Sequence, residues 1–96
     1  MKFIIKKDRE NLLNLARKIG YYFQGQKKDE LSFVRPLERI GYPRFHLYAK
    51  ENNKELAFNL HLDQKRPSYG GASAHSGEYE GAVVEKEMER IKQILK

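Results

Sequence analysis

Two neighbouring segments of this chain alternate polar and apolar residues with hardly a break. They are Arg44-Phe45-His46-Leu47-Tyr48-Ala49-Lys50 and Glu55-Leu56-Ala57-Phe58-Asn59-Leu60-His61-Leu62-Asp63. A period of two is that of a strand buried on one face only, so a chain carrying this pair is committed to a sheet with one wet and one dry side. The turn between them, Glu51-Asn52-Asn53-Lys54, is rich in asparagine, which tolerates the positive φ of tight hairpins. If Lys50 faces Glu55, Leu47 opposes Phe58 and Phe45 opposes Leu60. All apolar residues then share one face. The other face carries Arg44, His46, Tyr48, Asn59, His61 and Asp63.

Helical spacing flanks this sheet pattern. Leu12, Leu15, Ala16 and Ile19 repeat at helical intervals, with Asp8 as the expected N-cap and Gly20 as the stop. Near the other end, Val84, Met88, Ile91 and Leu95 form a second stripe, widened by Val83 and Ile94. Glu78, Glu80 and Glu85 crowd the start of this helix, and Arg90, Lys92 and Lys96 its end, as the helix dipole favours. Between the first helix and Arg44, the aromatic run from Tyr21, the polar turn Lys27-Lys28-Asp29-Glu30 and the segment Leu31–Leu37 read as a hairpin, whose second strand ends at Pro36 or lies at an edge. Phe3-Ile4-Ile5 fits either a short edge strand or an apolar lead-in. The expected fold is α+β, a four-stranded antiparallel sheet with two helices on one face in the order α-β-β-β-β-α. Its 96 residues make one domain, 1–96.

Composition narrows the chemistry. There is no cysteine, which excludes disulfides and thiolate metal sites. Only three consecutive apolar residues follow Lys2, too few for a signal-peptide core, and no stretch approaches a membrane span, so a cytoplasmic protein without membrane association is expected. Lysine and arginine exceed aspartate and glutamate by 19 to 13, a net charge of +6 that suits a polyanionic partner. Arg35, Arg39, Arg44, Lys65, Arg66 and Tyr69 are the expected nucleic-acid contacts. Cations neutralise phosphates, and exposed rings stack on unpaired bases. Against this stands the plain reading of the charge as a solvated surface.

All three histidines lie between Arg44 and Gly81. His61 and Asp63 point the same way from one strand, and His46 lies diagonal to His61 in the register above. His75 sits in the long loop 68–81, from which it could join them, with Glu78 as a further carboxylate. Imidazole and carboxylate suit a divalent metal such as zinc, manganese or iron, so His46, His61, Asp63 and His75 are the candidate ligands of a metal cofactor. The same histidines could instead act as base and acid in phosphodiester cleavage. Loops of this length are usually functional or disordered. Its glycines match neither the P-loop nor the dinucleotide fingerprint.

The run Arg44–Tyr48, with Asn59–Tyr69 and Ala74–Tyr79, resembles a group of small uncharacterised bacterial proteins with no known activity. The resemblance implies a stand-alone bacterial protein and carries over no site residue. The layout also resembles double-stranded-RNA-binding domains and small ribonuclease toxins of that shape. However, glutamates open the second helix where those domains place lysines, and Gln24-Gly25-Gln26 stands where the toxins carry a Gly-Ser-His run. Three functions are therefore expected in competition. They are a basic module binding nucleic acid or another macromolecule, a metal- or histidine-dependent phosphodiester hydrolase, and a module or inhibitor for a protein partner.

Overall fold

The computed structural model describes residues 1–64, 77–78 and 81–96. The sheet has five principal antiparallel strands: β1 (Lys2–Lys6), β2 (Tyr22–Lys27), β3 (Glu30–Pro36), β4 (Arg44–Glu51) and β5 (Glu55–Asp63), in spatial order β1-β5-β4-β3-β2. A two-residue strand, β6 (Gly77–Glu78), pairs with the end of β5, with Gly77 opposite Asp63. The helices are α1 (Leu12–Lys18) and α2 (Ala82–Ile94). The class is α+β, but the expected count of four strands is corrected to five, and the chain opens on a strand rather than a helix. Phe3-Ile4-Ile5 belongs to an edge strand that pairs with β5, Phe3 opposite Phe58. Its partner lies far along the chain, which is why a three-residue apolar run did not announce it. No described helix is long and apolar enough to cross a membrane.

One apolar cluster joins the helices to one face of the sheet. Leu12, Leu15, Ala16 and Ile19 of the first helical segment and Val84 and Ile91 of α2 meet Phe3, Phe33, Phe45, Leu47, Leu56, Phe58 and Leu60. Alternation thus assigns the faces of β4 and β5 correctly. The register differs from the expected one by two residues: Leu47 opposes Leu60, Phe45 opposes Leu62 and Lys50 opposes Ala57. A shift of two preserves the faces while changing every pair across them. The turn explains it. The Asn52 carboxamide accepts the Lys54 and Glu55 amides at 2.8 and 2.7 Å, an Asx turn that needs no positive φ at either asparagine. Among the described residues, Lys28 in the β2–β3 turn is the only non-glycine with positive φ.

The helix ends follow local chemistry. Asn11, not Asp8, caps α1, its side chain accepting the Asn14 amide at 2.9 Å. At the other end Gly20 takes φ 85°, its amide bonding to the Arg17 carbonyl, and the Tyr21 amide reaches back to Ala16. This is the Schellman arrangement. In α2, Val83 and Ile94 are exposed and do not widen the stripe. Glu87 lies inside it instead, only 4% exposed. The Tyr21 hydroxyl donates to Glu87 Oε2 at 2.6 Å, Arg90 donates to both carboxylate oxygens at 2.8 and 2.9 Å, and Arg35 approaches at 3.3 Å. Arg90 also donates to the Ile19 carbonyl at 2.6 Å. This network ties α2 to the end of α1 and to β3. Burial and the Glu87 carboxylate push the Tyr21 hydroxyl well above its ordinary pKa, so it remains a donor.

Candidate metal centre

The register that moved the core pairs also rearranged the opposite face. His46 and His61 are now directly opposed across β4 and β5, and Arg44 opposes Asp63. Both imidazoles are buried although they face away from the helices, His46 at 9% and His61 at 6% exposed. Tyr48 contributes to this burial, its ring stacked on His46 at 4.4 Å and lying 5.7 Å from His61. The two imidazoles are 5.0 Å apart between centroids.

Asp63 joins the histidines. Its Oδ1 lies 2.9 Å from His61 Nε2 and its Oδ2 lies 3.2 Å from His46 Nδ1. The Arg44 Nε donates to Oδ2 at 3.3 Å, and its guanidinium sits 4.6 Å over the Tyr42 ring. Burial pushes the Asp63 carboxyl up. The hydrogen bonds from His46 and His61, the charge of His61 and the Arg44 bond outweigh burial and hold it well below the usual carboxylate range. Asp63 is therefore an anion throughout the neutral range.

The far side of His46 is also engaged. Its Nε2 lies 2.6 Å from Ser32 Oγ on β3, and the Ser32 hydroxyl is within 3.3 Å of Gln24 Oε1. Two proton arrangements satisfy these contacts. In one, Ser32 donates to Nε2 and the Nδ1 proton goes to Asp63, giving a Ser32–His46–Asp63 relay. In the other, Ser32 donates to Gln24 and accepts from Nε2, so the Nδ1 lone pair faces the Asp63 anion. That second arrangement requires a proton or a cation between Nδ1 and the carboxylate.

The nominated residues divide sharply. His46, His61 and Asp63 converge, with one donor atom from each lying within 4.8 Å of the others. His75 lies outside the described residues, as do Lys65, Arg66 and Tyr69. Arg35, Arg39 and Arg44 do not form one surface. Arg35 pairs with Glu87 on the helix side, Arg44 pairs with Asp63 on the opposite side, and Arg39 is exposed in the connection after β3. Sequence reasoning missed Ser32 and Glu87. Ser32 enters only through the β3–β4 register, which sets it opposite Tyr48. Glu87 did leave a signal: it falls three residues after Val84 and four before Ile91, on the apolar stripe, with Arg90 one turn on.

Fold and cluster together define a small α+β protein with a His–His–Asp centre on the sheet face away from its helices. A scan against protein-family models returns no match, and searches of curated proteins and of solved structures likewise return none.

Proposed function

We propose that this protein is a metal-dependent hydrolase whose centre holds one divalent ion, zinc fitting best, through His46 Nδ1, His61 Nε2 and the Asp63 carboxylate. The observation that carries the reading is the convergence of these three donors within 4.8 Å in a buried setting. Imidazole nitrogen and carboxylate oxygen are donor types that zinc takes, and both imidazoles already face the Asp63 carboxylate, at 3.2 and 2.9 Å. A set of three protein ligands would suit catalytic rather than structural zinc, which has four. Such an ion, when bound there, would supply Lewis-acid chemistry and activate water near neutral pH. Around it, Ser32 orients His46 and Arg44 braces Asp63, each gripping a ligand from behind.

Calorimetric titration with Zn²⁺ tests the reading. One ion per chain is expected, with stabilisation of about 2.7 kcal/mol once free metal reaches a hundred times Kd. His61→Ala and Asp63→Asn should each abolish stoichiometric uptake, and the loaded wild type should hydrolyse bis(p-nitrophenyl) phosphate. Absence of uptake of Zn²⁺, Co²⁺ and Mn²⁺, or uptake unchanged in both variants, overturns it. The 2.6 Å contact between Ser32 and His46 favours one second reading, metal-free acid–base catalysis through the Ser32–His46–Asp63 relay. Nitrogen NMR separates the two, because the relay places the His46 proton on Nδ1 and the metal centre places it on Nε2.

A further inference from the structure

Two shallow grooves on the β1 side of the sheet share Ile4 and Lys92 and so form one continuous band. The first, about 660 Å³, is lined by Lys2, Lys50 and Lys92 with Tyr48 and Asn59; the second, about 450 Å³, adds Lys6, Lys7 and Lys96. Against these six lysines the two linings contain only Glu30 and Asp8 as acids, and Lys7 is additionally tied to Glu51 at 3.0 Å. The charges come from both sides of the β1 edge, Lys92 reaching over the Phe3 ring from the helix side. Lys2 and Lys6 share the outer face of β1, and Lys92 and Lys96 are one helical turn apart.

This band leads to the His–His–Asp centre. Tyr48, which lines the first groove, stacks on His46. Asn59, opposite Tyr48 and Lys2, precedes His61 by two residues on the same face, about 7 Å along the strand. A track of cations that ends on an aromatic ring and a carboxamide beside a candidate hydrolytic centre fits a polymer with regularly spaced negative charge and stacking groups. We propose that the lysine band over β1 binds single-stranded nucleic acid and, on the reading of the cluster as a metal centre, delivers a phosphodiester to it. Unpaired bases suit the Tyr48–Asn59 floor, since stacking and edge hydrogen bonds need bases released from a duplex. An anionic membrane would meet the lysines but would have no use for a floor that leads inward to buried ligands.

Fluorescence anisotropy with a labelled 12-nucleotide single-stranded RNA tests the track. Wild type should bind at low salt, with a log–log salt slope of about −3 if four phosphates are neutralised at about 0.7 each. The combined variant Lys2→Glu/Lys50→Glu/Lys92→Glu, checked for folding by circular dichroism, should lose about tenfold or more in affinity. No binding by wild type, unchanged binding by the triple variant, or stronger binding to duplex, polyglutamate or phosphatidylserine vesicles would overturn the inference. Asp63→Asn separates this inference from the metal reading: it should still bind the strand within a few-fold while failing to take up zinc or cleave. Zinc uptake without strand binding removes the track and leaves the centre. Strand binding without zinc uptake by wild type supports the track and removes the hydrolytic reading.

Discussion

Removing the Glu87 carboxylate is the most direct test of how α2 is held. Glu87 is buried and accepts from Tyr21 and bidentately from Arg90, with Arg35 alongside. In Glu87→Ala the hydroxyl of Tyr21, a residue 2% exposed, loses its acceptor, which costs about 1–3 kcal/mol. The arginines are about a third exposed, so they rehydrate in part, and Arg90 keeps the Ile19 carbonyl. Breaking a fully buried pair costs about 3–5 kcal/mol. Partial rehydration sets the expected loss at the low end, about 3 kcal/mol. For a domain of this size each kcal/mol moves Tm by about 4–8 °C, so the variant should melt about 12–24 °C lower. Urea unfolding followed by circular dichroism supplies the free energy, and a cycle with Tyr21→Phe isolates the coupling, expected at about 1–2 kcal/mol. Glu87→Gln keeps an acceptor for Tyr21 and should lose less than Glu87→Ala. A Glu87→Ala protein melting within about 3 °C of wild type would refute the reasoning.

Two further outcomes follow from the same structure. Asp63 has a folded pKa below its unfolded value, so it contributes stability above about pH 4 that is lost as pH falls below that, toward its folded pKa. In metal-free protein the stability gap between wild type and Asp63→Asn should therefore be largest near neutrality and shrink in acid; urea midpoints at pH 7, 5 and 3.5 that keep a constant gap would contradict the assignment. Phe58 is 3% exposed and its ring centroid lies 5.3 Å from that of Phe3, so Phe58→Ala should cost about 3–5 kcal/mol and loosen β1, read as faster hydrogen exchange in residues 2–6.

The chain's own pattern determines which residues of β4 and β5 face the core, because alternation survives any shift of register by two. It also marks the stop of α1 at Gly20, where one glycine can take the left-handed turn. Register itself was decided elsewhere, by the Asn52 carboxamide binding the Lys54 and Glu55 amides. That shift turned His46 from a diagonal neighbour of His61 into its direct partner, and so assembled the centre with Asp63. Ser32 and the lysine band likewise depend on pairings between strands distant in sequence, β3 with β4 and β1 with β5. Glu87 was written into the apolar stripe of α2, but only packing supplied Tyr21 and Arg35 to make its burial tolerable. Periodicity is a local property of a strand or helix and can be read from one segment alone. A site built across strands is a property of their alignment, which turn hydrogen bonds and long-range pairing decide.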